Sequence, residues 1–404
     1  MIYERSDSVK LFILVTIYSL INSYLLAKII LWLSKFNNII GSMPVKIIVG
    51  IIYFLCFLSV LTGYFLKKSK WQKRIQKFAN VFTGMMFYMI ILAIGSDLIR
   101  IITTKLFDVS ESVYYSNRYV IFIGSLSVFV VTIVSLYGYF HAKKIKVKKY
   151  SVNISNKKTK LNSLRIAFVA DFHLGYSIGY EMMEKMRDVI NQNDVDLVLI
   201  GGDIFDNSAF LVDDMKKCEN ALRGIKSKYG SFAVYGNHDV DQKLLAGFQT
   251  NNKIGFRNVE MDKILKRSNI TVLNDEVLNI DDFYLIGRKD YENTGDDSKN
   301  RLMMDKLMNL TKKNKVIIVL EHEPKNLKHL SQFPIDLHLA GHTHAGQYFP
   351  INLGTKLIWQ NHYGIKKFNN MTSIVTSGIG VYGPNMRVAT SSEVVIVDVK
   401  VDKK

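Results

Sequence analysis

The chain contains few cysteines, few prolines and a deficit of acidic residues for its length of 404. Its two cysteines, Cys56 and Cys218, lie far apart, and Cys56 falls inside an apolar stretch. We therefore expect no pairing, which excludes a disulfide scaffold and fits a reducing compartment. Five prolines and a hydrophobic share of 48% also exclude a disordered chain.

The acidic deficit gives the chain a strongly positive charge. Asp and Glu number 35 against 53 Lys and Arg, a formal net charge of +18. Such a surplus can neutralise nucleic acid phosphates. Here the basic residues crowd beside apolar stretches, where they contact anionic headgroups and set membrane orientation. We therefore favour membrane lipids as partners and expect no nucleic acid.

Four apolar stretches in the first third are long enough to cross a bilayer, which takes about 20 residues. They cover residues 11–33, 47–66, 79–102 and 119–140. The first is too long for a cleaved signal peptide, and no small-residue cleavage pattern follows it. We predict a four-span transmembrane region over residues 1–142 and a polar domain over residues 143–404.

The loops predict the orientation of these spans. One basic segment separates the second and third spans, and it contains Lys67, Lys68, Lys70, Lys73, Arg74 and Lys77. Another follows the fourth span, and it contains Lys143, Lys144, Lys146, Lys148 and Lys149. The positive-inside rule places both segments in the cytoplasm. We thus predict a multi-pass plasma membrane protein whose N-terminus and polar domain are cytoplasmic.

Two polar residues fall inside the predicted spans. Asp97 lies three residues before Arg100 on one helical face, so an interfacial ion pair explains it better than a functional carboxylate. Asn22 fits a hydrogen bond between helices.

From residue 145 onward, short β-branched runs alternate with stretches of helical spacing. The predicted strands cover residues 165–171, 196–203, 231–239, 283–289, 315–322, 335–344, 371–380 and 393–399. The predicted helices cover residues 179–192 and 215–228. Several strands are apolar throughout, which indicates a sheet covered on both faces. The later strands follow one another with few helices, so we expect mixed sheets.

Side chains that bind metals follow five of these strands. They are Asp171, His173, Asp203, Asn237, His322, His342 and His344. Carboxylates, imidazoles and an amide suit Mn, Fe or Zn, and the lack of thiolates excludes a cysteine-type zinc site. Seven ligands exceed the needs of one tetrahedral ion. They predict two divalent ions about 3.5–4 Å apart, sharing a carboxylate and activating water for in-line attack on phosphorus.

The motifs D-x-H, G-D, G-N-H-D, a histidine two residues before Pro324, and G-H-T-H occur in this order. In this order they resemble the calcineurin-like metallophosphoesterase superfamily. The strings DFHLG, GGDIFD, VYGNHD and GHTHAGQ resemble its bacterial membrane-associated branch. The resemblance covers about residues 145–400. It implies an α/β fold, a sandwich of two mixed β-sheets flanked by helices, here preceded by four transmembrane helices.

The resemblance also implies a role for each motif residue. The first metal would be held by Asp171, His173 and His344. The second would be held by Asn237, His322 and His342. Asp203 would bridge the two ions, and His238 would protonate the leaving oxygen or stabilise the transition state. Asp239 would orient His238, and Arg387, in the C-terminal string GIGVYGPNMR, would lie near the substrate.

These observations predict a membrane-anchored phosphoesterase or pyrophosphohydrolase. The polar domain follows the last span after almost no linker, which favours a lipid-linked or membrane-proximal phosphate ester. The resembling branch includes hydrolases of nucleotide-diphospho-lipid precursors, so cleavage of such a pyrophosphate is one specific expectation. Two alternatives stay open. One is a cyclic-nucleotide or other soluble phosphodiesterase, and the other is a non-catalytic metal-binding membrane sensor or scaffold.

Overall fold

The computed structural model describes residues 2–65, 69–157, 159–206, 212, 214–240, 244–245, 248–249, 257, 259–295 and 300–403. Leu66, Lys67 and Lys68, which belong to the second predicted span and the basic loop after it, lie outside these residues. The chain divides into two compact units. One comprises Met1–Tyr139, Lys243–Asn252 and Gly383–Asn385, and the other Phe140–Gln242, Lys253–Tyr382 and Met386–Lys404.

The N-terminal third is helical. Its helices are α1 (Ile2–Ser34), α2 (Met43–Phe65), α3 (Lys70–Leu106), α4 (Glu111–Tyr115) and α5 (Asn117–Ala142). Apolar sequence runs through the long helices, and proline occurs only at the second position of α2, where a helix tolerates it. The side chain of Ser69 caps α3 by accepting a hydrogen bond from the Gln72 N–H at 3.1 Å.

Four of these helices are long and apolar enough to cross a membrane. The candidate spans are Val9–Ser34, Met43–Thr62, Lys70–Leu106 and Asn117–Ala142. Large apolar side chains on them face outward: Phe12 is 71% exposed, Leu55 60% and Phe122 65%. Such surfaces suit lipid, in which a helix satisfies its own backbone hydrogen bonds. The four helices predicted from the sequence are confirmed.

Polar side chains inside these helices bond to neighbouring helices. The Tyr53 hydroxyl donates to Asn22 Oδ1 at 2.9 Å, as expected for an interhelical bond. Asp97 makes the predicted ion pair with Arg100 but also has a closer partner, which was not predicted. Its nearest cation is Lys28, at 2.6 Å, and Tyr24 donates to it at 2.7 Å, whereas Arg100 lies 3.9 Å away. Sequence spacing showed only the partner on the same helix, and the closer one comes from α1.

The described residues of the polar part form fourteen strands. They are β1 (Ile145–Lys157), β2 (Ser163–Val169), β3 (Leu197–Gly201), β4 (Ser231–Val234), β5 (Leu244–Leu245), β6 (Phe248–Gln249), β7 (Ile270–Val272), β8 (Glu276–Ile280), β9 (Phe283–Gly287), β10 (Val316–Leu320), β11 (Leu337–Ala340), β12 (Gly364–Phe368), β13 (Met371–Val375) and β14 (Ser392–Lys403). The accompanying helices are α6 (Tyr180–Asn191), α7 (Met215–Arg223), α8 (Val259–Arg267), α9 (Met304–Met308), α10 (Leu327–Leu330) and α11 (Ile351–Ile358).

Twelve of the strands form two mixed six-stranded sheets. The orders are β1-β14-β2-β3-β4-β7 and β12-β13-β11-β10-β9-β8. In the first sheet β14 and β2 are antiparallel, and in the second the edge strands β8 and β12 are antiparallel to their neighbours. The predicted fold class, two mixed sheets flanked by helices, is confirmed. Strand β1 was not predicted, because lysines that alternate with apolar residues beside a span also fit a basic segment that flanks a membrane.

The core has three layers. Alternate residues of β2 face opposite sides, as the twofold period of a strand requires. Ile166 and Phe168 pack between the two sheets, while Ala167 and Val169 pack against α6, α7 and α8. In the second sheet Ile318 faces the other sheet, and its neighbours on β10 pack against α9 and α10. Helices therefore cover both outer faces of the sandwich.

The loops after the parallel strands are joined by backbone hydrogen bonds. The Asp171 N–H, after β2, donates to the Gly202 carbonyl, after β3, at 2.9 Å. The Gly341 N–H, after β11, donates to the His322 carbonyl, after β10, at 3.0 Å. The Ile379 N–H, after β13 of the second sheet, donates to the Ala170 carbonyl, after β2 of the first, at 2.9 Å. The carboxyl ends of strands from both sheets thus meet at one edge, and the predicted ligands lie there.

Candidate metal centre

The first cluster of predicted ligands joins the loop after β2 to the loop after β11. It consists of Asp171, His173 and His344, all buried. The Nε2 atoms of His173 and His344 lie 3.0 Å apart, and His344 Nε2 lies 4.0 Å from Asp171 Oδ1. Asp171 Oδ1 also accepts a hydrogen bond from the His342 N–H at 2.9 Å, which fixes the carboxylate.

The second cluster comes from the loops after β3, β4, β10 and β11. Its members are Asp203, Asn237, His322 and His342. His322 Nε2 lies 3.1 Å from Asp203 Oδ2, from His342 Nδ1 and from Asn237 Oδ1. Three potential acceptors thus converge on one imidazole nitrogen.

Asp203 connects the two clusters. Its Oδ2 lies 3.6 Å from His173 Nε2 and 3.1 Å from His322 Nε2. Its Oδ1 accepts the His238 N–H at 2.9 Å, which turns Oδ2 toward the histidines. One carboxylate oxygen therefore stands between both sets of ligands, where a bridging ligand belongs.

The backbone around the centre is strained. Five of the seven predicted ligands have a left-handed φ: Asp171 (55°), His173 (47°), Asp203 (51°), His342 (71°) and His344 (48°). Non-glycine residues rarely adopt this region, and where they do, they concentrate at functional sites. Glycines make room beside them. A Cβ on Gly202 (φ 86°) would lie 2.7 Å from His322 Nδ1, and one on Gly236 would lie 2.2 Å from Asp203 Oδ1.

The protonation of the histidines suits cation binding. His322 Nδ1 lies 2.7 Å from the Gly201 carbonyl, so it carries the proton and Nε2 presents a lone pair to the cluster. Burial lowers the pKa of His173 to about 3 and also lowers that of His344, so both imidazoles are neutral at pH 7. Burial opposes a charged His322, yet Asp203 raises its pKa well above the ordinary value, so without a cation Nε2 also holds a proton, which a bound ion would displace. The second cluster thus attracts positive charge.

The donor set fits divalent metal ions. Asp171 Oδ2 and His173 Nδ1 are buried without a hydrogen-bond partner among the described residues. Ligands about 2.1 Å from one ion are about 3.0–3.4 Å apart, which matches the spacings found here. Nitrogen and oxygen lone pairs held this close repel each other unless a cation lies between them. Both clusters therefore have the chemistry of metal sites.

His238 lies at the rim of the centre. It is partly exposed, and its ring centroid is 5.3 Å from that of His173 and 4.5 Å from that of Tyr382. Asp239 does not match the role we predicted. It is fully buried, and its two oxygens accept the N–H groups of Phe205 and Gly236, each at 2.8 Å. Asp239 therefore holds the backbone of the loop that carries His238 rather than orienting the His238 ring by a hydrogen bond.

Arg387 also differs from the sequence-based expectation. It is 0% exposed, and its guanidinium donates to the carbonyls of Ser377 and Gly380 at 2.6 and 2.7 Å. Its Nη2 lies 3.3 Å from His344 Nδ1. A buried side chain bonded in this way positions His344 and the adjoining loop, so we no longer assign it to substrate binding.

Sequence reasoning missed several neighbours of the centre. The Tyr382 ring contacts the rings of His173, His238 and His344 at tilted angles. The Trp359 ring lies 5.2 Å from that of His342. Asp290 and Glu323 are buried carboxylates near the second cluster, and Glu323 Oε2 is 3.9 Å from His342 Nε2. Only Tyr382 carried a signal, since it lies in the string GIGVYGPNMR.

Comparison with known proteins agrees with this geometry. Residues 164–346 match the family model of calcineurin-like phosphoesterases. An uncharacterized metallophosphoesterase of Helicobacter pylori is 31% identical over 239 residues, 57% of this chain and 58% of that protein. A transmembrane protein with metallophosphoesterase domain from Danio rerio is 29% identical, over 67% of this chain and 61% of that protein. The chain thus spans about 58% of the length of the Helicobacter relative.

Among solved structures, a purple acid phosphatase from yellow lupin seeds has a TM-score of 0.36 and 11% identity, over 60% of this chain and 55% of that one. The family match assigns residues 164–346 to the calcineurin-like phosphoesterases. The family predicted from the motifs is therefore confirmed.

Proposed function

We propose that this chain is a membrane-anchored phosphoesterase that uses two divalent ions, Mn, Fe or Zn, to hydrolyse phosphate ester or pyrophosphate bonds. The observation that carries the proposal is the position of Asp203 Oδ2, 3.6 Å from His173 Nε2 and 3.1 Å from His322 Nε2. A carboxylate shared in this way suits a pair of ions that clamps the oxygens of an in-line displacement at phosphorus.

Each group of the centre has a part in this chemistry. The ions, when bound, would supply Lewis acidity and a water ionised near neutral pH. Asp171, His173 and His344 would hold one ion, and Asn237, His322 and His342 the other. His238 is partly exposed at the rim, where its imidazole can give a proton to a leaving oxygen. Its N–H bond to Asp203 ties it to the bridging carboxylate.

We further propose that the substrate is lipid-linked or lies close to a membrane. Helix α5 ends at Ala142 and strand β1 begins at Ile145, so two residues join a candidate span to the phosphoesterase fold. A domain tethered so closely meets membrane-bound phosphate esters at high effective concentration. The basic segment at residues 143–149 supports a cytoplasmic location of the domain, in the plasma membrane, by the positive-inside rule.

The test is turnover by the purified full-length protein with Mn²⁺. The substrates are a phosphate monoester, a diester and a pyrophosphate, each with and without a lipid tail, together with a cyclic nucleotide. We expect metal-dependent hydrolysis with a preference for lipid-tailed members. Preference for the cyclic nucleotide or another water-soluble ester would replace the membrane substrate by a soluble one. No hydrolysis of any member by metal-loaded protein would leave a metal-binding sensor or scaffold and refute the enzyme.

A further inference from the structure

Helix α11 (Ile351–Ile358) has its apolar face on the outside of the phosphoesterase domain. All eight residues are described, and none is buried. Leu357 is 90% exposed, Ile358 75%, Leu353 49% and Ile351 44%. In an ordinary surface helix such residues face the core, so the amphipathic pattern is inverted here.

The helical period explains how these side chains form one face. At about 100° per residue, these four side chains fall within an arc of about 160°, which contains only Gly354 besides them. The polar residues take the other side. The Asn352 Oδ1 atom is buried, and Asn352 and Thr355 are half-buried, whereas the four apolar residues are exposed. The polar side of the helix therefore faces the domain, and its apolar face lies outward.

The sequence around α11 carries positive charge only. No Asp or Glu occurs from Leu337 to Ser392, whereas Lys356 on α11 and the neighbouring strand β12 supply three exposed lysines. On β12, Lys366 and Lys367 follow Ile365, which is 46% exposed. Burial first, and then the charges of Lys356 and Lys366, lower the pKa of His362, so both ammonium groups lie near that ring. An apolar face rimmed by lysines suits an anionic bilayer surface.

Both ends of α11 lead directly to the metal centre. On the N-terminal side, a short helical turn spans His344–Gly346, and Phe349, 50% exposed, precedes the helix. At the C-terminal end, the Trp359 ring lies 5.2 Å from that of His342. A surface that held α11 would therefore lie beside the mouth of the centre.

We propose that α11 is a membrane-docking helix, whose apolar face enters the headgroup region of an anionic bilayer and places the metal centre against phosphate esters there. The occupant is the bilayer, because the same chain carries four apolar helices of membrane-spanning length. Interfacial helices of this kind sink about 5–10 Å into the boundary between headgroups and acyl chains. The inference deepens the proposed function, from which it takes the membrane-bound substrate.

The test measures the depth of α11 in a bilayer, independently of turnover. Full-length protein with Cys56→Ala and Cys218→Ala receives a single spin label at Leu357→Cys and is placed in nanodiscs containing phosphatidylglycerol. Leu310→Cys is the matched control, since Leu310 is an exposed apolar residue of the same domain, at 66%, outside α11. We expect the label at 357 to collide with oxygen more than with a water-soluble nickel chelate, and the label at 310 to show the reverse.

A label at 357 that meets the nickel chelate as freely as the label at 310 would overturn the proposal. Exclusion from both reagents would do so as well, since it would indicate contact with protein, such as a second copy of the chain. A second variant gives an independent readout. Leu357→Asp should lower the ratio of turnover on vesicle-embedded ester to that on soluble ester by about tenfold, and Leu310→Asp should not. An unchanged ratio would count against docking, whereas a lack of any turnover would refute only the enzyme.

Discussion

The two candidate metal clusters share ligand types but have opposite electrostatic surroundings. The first, Asp171, His173 and His344, lies beside the buried guanidinium of Arg387, 3.3 Å from His344 Nδ1. Burial lowers the pKa of Arg387 to about 10, so the side chain stays charged at neutral pH. The second, Asp203, Asn237, His322 and His342, lies beside carboxylates. Glu323 is 3.9 Å from His342 and pairs with the Lys325 ammonium at 2.5 Å, and the negative charge of Asp290 favours a protonated His322. Two carboxylates and one ammonium group therefore surround this cluster.

This difference predicts unequal affinities for metal. A buried positive charge disfavours a cation nearby, and a buried carboxylate favours one, because neither interaction is screened as it would be in water. Burial and Asp290 raise the pKa of Glu323 to about 7, and a bound cation would favour its ionised form. We therefore expect the second cluster to hold its ion more tightly, and the first to lose its ion first.

Removing the residue that joins the clusters should have the largest effect. Asp203→Asn replaces the carboxylate that lies between the two clusters by a neutral amide. Turnover should fall on the order of a thousandfold, equivalent to about 4 kcal/mol in the barrier. The measurement is kcat on the best substrate, with thermal unfolding to show that the domain is folded. Asp305→Asn, an exposed change on α9, should keep full activity. Near-normal turnover by Asp203→Asn would refute the shared site.

Displacing the Asp203 carboxylate without removing it should cause the next largest loss of activity. A methyl group at Gly236→Ala would lie 2.2 Å from Asp203 Oδ1, so the carboxylate must move. A displacement of this kind should lower kcat about a hundredfold. Gly179→Ala is the control, because its added methyl group would have no neighbour within 4 Å. Equal activity of the two variants would show that the position of Asp203 does not matter.

Neutralising the carboxylates beside the second cluster should remove the difference in metal affinity between the two clusters. Asp290→Asn combined with Glu323→Gln leaves every predicted ligand in place. The affinity of the tighter ion should fall about 10–100-fold, the usual effect of outer partners of a metal site. Metal titration by calorimetry measures this change. Glu276→Gln, which removes an exposed carboxylate on β8, should leave the affinity unchanged. If the double variant keeps two unequal sites, the buried carboxylates do not cause the inequality.

Stepwise removal of metal from the unmodified protein should show the difference in metal affinity between the two clusters, which is the smallest of these effects. A graded series of chelator concentrations, with metal content measured at each step, should pass through a species with one ion per chain. His344→Ala should bind one ion at most and keep the tight site. Loss of both ions together at every chelator concentration would contradict unequal clusters.

Much of the fold and the centre could be predicted because the metal-binding residues lie at the ends of apolar runs. A polar ligand that ends a buried strand, such as Asp203 after β3, is conspicuous in one sequence. The corrected roles depended on contacts between distant loops. Asp239 accepts a hydrogen bond from the Phe205 N–H, and Arg387 donates one to the Ser377 carbonyl. The spacing of residues along the sequence indicates neither contact. Helix α11 was not predicted, since its pattern does not indicate which face lies outward.

The most direct test of the account is electron paramagnetic resonance during titration of the metal-free full-length protein with Mn²⁺. The first equivalent should give the signal of a single isolated ion. The second should convert it into the multiline signal of two exchange-coupled ions, since one carboxylate oxygen of Asp203 lies between both clusters. Asp203→Asn should weaken the coupling or prevent the second ion from binding. Two uncoupled ions, or saturation at one ion per chain, would contradict the two-metal centre.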